Sequence, residues 1–118
     1  MHTMKAVYID DDAISLEMGA TILNNIDMIS ELHTFQTANE LIEYISNESI
    51  DIAFLDIILE DIDGISLAME VKRLQPKCKV VFISSSRDFA LEAFQVYASG
   101  YLVKPIVESE VARLLMNI

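Results

Sequence analysis

An α/β fold, with a five-stranded parallel sheet covered by helices on both faces, is predicted by three observations. Short apolar runs alternate with helix-period segments along the whole chain. Several of those runs are apolar almost throughout, a pattern that demands cover on both faces of the sheet. The alternation closes after five strand–helix units. No repeat, low-complexity tract or Gly/Ser-rich linker divides residues 1–118, which read as one domain.

Lys5 to Ile9 is the first strand, and Ala13 to Ile26 is a helix carrying Ile14, Met18, Ile22 and Ile26 along one face. Ile29 to Phe35 is a less apolar strand, expected at an edge. Thr37-Ala38-Asn39-Glu40 is a capping box opening a helix to about Asn47, in which each side chain can satisfy the other's free backbone donor. Ile50 to Leu55 is the third strand. Gly64 leads a helix through about Gln75, with Leu67, Ala68, Val71 and Leu74 inward and Pro76 beyond its end. Lys79 to Ser84 is the fourth strand, Phe89 to Ala98 a short helix, Tyr101 to Val103 the fifth strand and Val107 to Asn117 the last helix. Met18, Met69 and Met116 fall at helical spacings and are expected in the core. Right-handed crossovers leave few topologies, and the flavodoxin-like (βα)5 order 2-1-3-4-5 is the favoured one.

With 53% apolar residues the chain can fill a core without staples. Cys78 is the only cysteine, which rules out an internal disulfide framework and suits a reducing, cytoplasmic setting. It reads as a small buried or edge residue. The net charge of −11 opposes direct binding to nucleic acid or an anionic membrane, though it leaves DNA binding to a neighbouring domain open. No apolar stretch is long enough to span a bilayer, and Met1-His2-Thr3-Met4-Lys5 lacks the layout of a secretory signal. His2 and His33 are isolated and are not expected to be ligands. Glu40, Glu43, Glu48, Glu92, Glu108 and Glu110 read as solvated helix faces.

In a sheet of this kind the active crevice lies at the carboxyl ends of the strands. Asp10, Asp11 and Asp12 follow the first strand and Asp56 the third. Ser84, Ser85 and Ser86 close the fourth, and Lys104 and Pro105 the fifth. Two carboxylates about 5 Å apart at an effective dielectric near 20 repel by roughly 3 kcal/mol, so such a cluster needs positive charge. Oxygen donors without His or Cys select a hard cation, and a partly hydrated Mg²⁺ fits. Lys104 supplies a second positive charge. A metal and an ammonium beside a carboxylate would neutralise a phosphoryl group, and the carboxylate can itself be the nucleophile.

These residues carry a resemblance. Asp10-Asp11, Asp56 in Phe54-Leu55-Asp56-Ile57, Asp63-Gly64, Ser84 and Tyr101-Leu102-Val103-Lys104-Pro105 together resemble the receiver domain of two-component response regulators, from about Lys5 to Leu115. Phe89-Ala90-Leu91-Glu92-Ala93-Phe94, followed by Tyr101 to Pro105, is similar to the subgroup with LytTR-type DNA-binding output domains. The resemblance implies that Asp56 is the phosphoacceptor, receiving its phosphoryl group from a sensor histidine kinase. Asp11 would bind Mg²⁺ directly, Asp10 largely through water, and Ile58 through its backbone carbonyl. Lys104 would pair with Asp56 or the phosphoryl oxygens, and the Ser84 hydroxyl would move to meet the phosphoryl group. Tyr101 would then swing inward, and Pro105 would follow a cis peptide bond. The face of helix four, strand five and helix five would be re-shaped to dimerise or to contact an output domain. The chain ends where its fifth helix ends, which suits a stand-alone regulator or the N-terminal part of a longer one.

Two departures from the family stand in the sequence. Leu59-Glu60 replaces the usual Met-Pro after the phosphoacceptor, so the loop from Ile57 to Ile62 is expected to be more mobile. Asp12 stands where Glu is commoner. Ile58 and Ser86 occupy positions that modulate water access in the family, and the bulk of Ile58 is expected to slow loss of the phosphoryl group. Other readings stay open on the residues alone. Asp10 to Asp12 could be only helix-capping acids, Ser84 to Ser86 a plain loop, Lys104 a solvated charge, and Tyr101 a core residue. Asp10-x-Asp12 also resembles the acid pair of haloacid-dehalogenase phosphatases, but Ala13 and the short chain oppose it. A receiver-like interaction module that takes no phosphate is the third alternative.

Overall fold

The computed structural model describes residues 3–118, so His2 lies outside it. Five strands, β1 (Met4–Ile9), β2 (Ile29–Phe35), β3 (Ile52–Asp56), β4 (Lys79–Ser84) and β5 (Gly100–Val103), form one parallel sheet in the order β2-β1-β3-β4-β5. Five helices, α1 (Ala13–Asn24), α2 (Ala38–Ile45), α3 (Gly64–Leu74), α4 (Ala90–Gln95) and α5 (Glu108–Met116), connect or follow them. This is the expected flavodoxin-like order. β2 is an edge, and its more polar sequence leaves Ser30 and Glu31 exposed.

Because successive strand residues face opposite ways, the sheet divides its core in two. Val7, Ile9, Ala53, Leu55, Val80 and Phe82 pack with Leu41, Leu67 and Val71 of α2 and α3. Ala6, Tyr8, Ile52, Phe54, Val81 and Leu102 pack on the other side with Leu23, Val111 and Leu115 of α1 and α5. Cys78 is buried as expected. His33 rests its ring on Tyr44 and pairs with Glu31.

Helix starts follow the capping residues. The Asp12 carboxylate accepts the Ser15 N–H at 3.1 Å, Thr37 accepts the Glu40 N–H at 3.3 Å, and Asp63 accepts the Ser66 N–H at 2.8 Å. Only half of the capping box forms. Glu40 accepts the Thr37 hydroxyl at 2.8 Å instead of the Thr37 backbone N–H.

Several expectations are corrected. On α1, Ile14 and Met18 are 71% and 60% exposed, while Gly19 and Leu23 turn inward. The helix is apolar nearly all round, so hydrophobic period alone picks no unique face; Gly19 turns in because the Tyr8 ring presses against it. Met69 (60% exposed) and Met116 (74%) also face solvent, since each lies one or two residues round the helix from its buried positions. β3 begins two residues later than expected and takes in Asp56; the Ile50 N–H goes to a side chain, while the Asp51 backbone still bonds Lys5 and Lys79 at the sheet's end. Gln75 accepts the Ile50 N–H at 3.0 Å, and the Asp51 carboxylate accepts the Lys5 N–H at 2.8 Å. α1 and α2 also end earlier than predicted, at Asn24 and Ile45, and α4 is shorter, with Tyr97 beyond its end at φ 60°.

Candidate functional site

The same alternation that divides the core places the site. Asp10 lies two residues after Tyr8, Asp56 two after Phe54 and Lys104 two after Leu102, so all three continue the rows that face α1 and α5. β1 and β3 are neighbours, with Ile9 paired to Leu55, which sets Asp10 beside Asp56. Lys104 arrives from β5 and reaches past the end of β4.

Its ammonium bridges the two carboxylates, donating to Asp10 Oδ2 at 2.7 Å and to Asp56 Oδ2 at 2.8 Å. Asp10 and Asp56 are both buried. Further donors finish the arrangement. Asp10 Oδ1 accepts the Asp12 N–H at 3.0 Å, Asp10 Oδ2 accepts the Tyr8 hydroxyl at 3.3 Å, and Asp56 Oδ1 accepts the Ile58 N–H at 3.0 Å.

Charge and burial push these groups apart. Burial raises the Asp56 carboxyl above the ordinary range, only partly opposed by Lys104 and the Ile58 amide and reinforced by the Asp10 charge. For Asp10 burial also acts upward, but Lys104, the Ser15 hydroxyl and the Asp12 amide outweigh it and leave the carboxyl lowered. Burial works against the Lys104 ammonium, yet the two carboxylates more than restore it, so it is raised. The site thus holds one partly buried ammonium between two buried carboxyl groups.

The remaining expected residues stand around this core. Ser84 is fully buried, and its Oγ accepts the Ser86 N–H at 3.2 Å. The β4 end is tied to Lys104 by a 2.8 Å bond from the Lys104 N–H to the Ser84 carbonyl. Tyr101 is half-buried against Phe82, and its hydroxyl donates to the Ser86 carbonyl. The Lys104–Pro105 peptide is cis. Ile58 is largely exposed.

Asp11 is held differently. Its Oδ2 accepts the Glu60 N–H at 2.7 Å, on the loop between β3 and α3, and is not shared with Asp10, Asp56 or Lys104. That loop is fastened again where the Asp61 carboxylate accepts the Ala38 N–H at 3.1 Å. It is tethered at these two points. Gly64 closes the loop under the site. Its N–H donates to the Ile57 carbonyl at 2.7 Å, and a Cβ there would lie 2.2 Å from the Asp56 carbonyl oxygen.

Asp10, Asp11 and Asp56 lie at or just after strand ends on one rim of the sheet, and with the Ile58 carbonyl they are the oxygen donors that could hold a hard divalent cation. Among the described residues no three acidic, imidazole or thiol groups already converge on one point. Sequence reasoning missed Tyr8 and Glu60. Tyr8 shares a face with Asp10 two residues on, a signal present in the alternation. The Glu60 contact is made by backbone and leaves no residue-type signature.

A family model for the response regulator receiver domain matches residues 6–115. The chain is 30% identical over 108 residues to the sensory transduction protein LytR of Staphylococcus epidermidis, covering 92% of this chain and 43% of LytR. It is 25% identical over 115 residues to the transcriptional regulatory protein YpdB of Escherichia coli K12, covering 98% and 47%. The crystal structure of the response regulatory domain of protein mrkE from Klebsiella pneumoniae superposes with a TM-score of 0.85 at 25% identity, over 97% of this chain and 93% of that one. The chain spans less than half the length of the curated relatives it matches.

Proposed function

The chain belongs to the family of response regulator receiver domains, and from that premise we propose that Asp56 accepts a phosphoryl group from the phosphohistidine of a sensor histidine kinase. The observation that carries this reading is the Lys104 ammonium held between the buried Asp10 and Asp56 carboxylates. An Asp56 oxygen attacks phosphorus as the phosphorus–nitrogen bond breaks, and the electron pair of that bond stays on the imidazole. Lys104 keeps the nucleophile ionised despite burial and lies where charge accumulates on the transferring oxygens. The Ile58 N–H orients the carboxylate from its other oxygen.

Mg²⁺ is the cation the oxygen donors Asp10, Asp11, Asp56 and the Ile58 carbonyl suit, and it would supply positive charge to the phosphoryl oxygens. The Ser84 hydroxyl, whose oxygen accepts the Ser86 N–H, would donate its own O–H to a phosphoryl oxygen. Because Tyr101 is bonded to that same Ser86, a shift of the β4–α4 loop is felt by Tyr101. The change then reaches the α4, β5 and α5 face, as a shift between two populated states. That face pairs with a second copy or with an output domain, a DNA-binding one by analogy with the regulators it resembles, in the cytoplasm. Ile58 beside Asp56 shields the phosphoryl group from water.

Incubation with Mg²⁺ and acetyl phosphate tests the assignment. An alkali-labile phosphate adduct is expected on the wild type and not on Asp56→Asn. An adduct that survives in Asp56→Asn and disappears in Asp10→Asn would transfer the nucleophile to Asp10. No adduct on the wild type would favour a module that takes no phosphate.

A further inference from the structure

Asp11 is the acidic residue of the proposed cation site whose carboxylate is held by the backbone of the loop between β3 and α3. Its Oδ2 takes the Glu60 N–H at 2.7 Å, a contact 49 residues apart in sequence, while Asp10 and Asp56 are occupied with Lys104. The donor is backbone, so every residue except proline can provide it at position 60. The second tether of the loop, from the Ala38 N–H to Asp61, fixes the segment next to Glu60 against the start of α2.

We propose that the Glu60 N–H is a latch on Asp11 that competes with the divalent cation for this carboxylate, so that cation binding and release of the β3–α3 loop are one event. The inference rests on Asp11 being a cation ligand. A charge-assisted bond to an anion is among the stronger hydrogen bonds, and solvent exposure reduces but does not abolish it. Linkage makes the effect reciprocal: the factor by which the latch weakens the cation is the factor by which the cation weakens the latch. A net bond of ordinary strength corresponds to about fivefold in affinity. The loop carries Ile58 and Leu59 next to the phosphoacceptor, so the state of the latch sets what stands over Asp56 before any phosphoryl group arrives.

The test is a magnesium chloride titration of the 15N-labelled chain, following the Glu60 amide by NMR and its hydrogen exchange, with affinities from calorimetry. The Glu60 amide proton should shift upfield and exchange faster, with the same midpoint as Mg²⁺ binding. Glu60→Pro should bind Mg²⁺ about fivefold more tightly, whereas Glu60→Gln, which keeps the N–H, should stay within about twofold of wild type. An amide that stays unmoved through saturation means that Asp11 binds through its other oxygen and overturns the latch while leaving the cation site intact. A Glu60→Pro variant that folds and binds no more tightly also overturns it. Absence of Mg²⁺ binding by the wild type overturns both the latch and the site it rests on.

Discussion

Replacing Lys104 by methionine keeps the volume of the side chain and deletes the charge between two buried carboxylates. The 2.7 and 2.8 Å contacts put Asp10 Oδ2 and Asp56 Oδ2 no more than about 5.5 Å apart. At an effective dielectric near 20 that separation gives a repulsion of at least about 3 kcal/mol once the ammonium is gone. Stripping one partner from a buried ion cluster costs about 3–5 kcal/mol in general, which agrees. For a domain of this size the loss lowers the urea midpoint by about 2 M. Far-UV circular dichroism through a urea series at neutral pH measures it. The deficit should shrink on acidification. Asp56 is already raised by burial, and a carboxyl raised in the folded state favours folding increasingly as pH falls through its folded value. Combining Lys104→Met with Asp56→Asn removes the repulsion and should recover most of the loss. A Lys104→Met chain that unfolds within about 0.5 kcal/mol of wild type, or a double variant no more stable than the single one, would refute this repulsion.

Three further outcomes follow from the packing. Gly64→Ala forces a methyl to within 2.2 Å of the Asp56 carbonyl oxygen, which is backbone and cannot turn aside. A loss of about 3 kcal/mol or more is expected, and a thermal melt within a degree or so of wild type would show that the loop yields after all. Tyr97 holds φ 60° while 82% exposed, so Tyr97→Gly relieves a left-handed tyrosine at little loss of packing. It should stabilise the chain by about 0.5–1 kcal/mol in calorimetry, and a fall in stability would refute that. Burial pushes the Cys78 thiol up to about 12. It should therefore resist a disulfide reagent at pH 8 in the folded chain and react once urea unfolds it; equal rates would contradict the burial. By linkage, this raised thiol favours the folded state fully below the unfolded value of about 8.5, and the contribution is lost as pH climbs toward 12.

The strand ends were the most legible part of the molecule. Asp10, Asp56, Ser84 and Lys104 each close an apolar run, and the structure brings Asp10, Asp56 and Lys104 into direct contact. Helix faces were less so. Ile14 and Met18 kept the spacing of an inward row, yet Leu23 and Gly19 are the buried residues of α1. A helix that is apolar nearly all round offers several such rows, and the ring of Tyr8 from the sheet decides among them. Asp11 shows the same limit at the site. Its place after β1 makes it a candidate ligand, but its hydrogen bond goes to a backbone donor that no sequence pattern marks.

Sequence by itself determined the order of the five units, the parallel sheet, and the strand ends at which Asp10, Asp56, Ser84 and Lys104 lie. Strand alternation, capping and breaker residues are local properties of the chain, readable wherever they occur. Only the tertiary structure decided that Lys104 reaches both carboxylates and that Asp11 turns to Glu60. It also decided which side of α1 meets the sheet. Those outcomes depend on distances between segments far apart in sequence, and such distances are set by strand order and by the fit of side chains across the core.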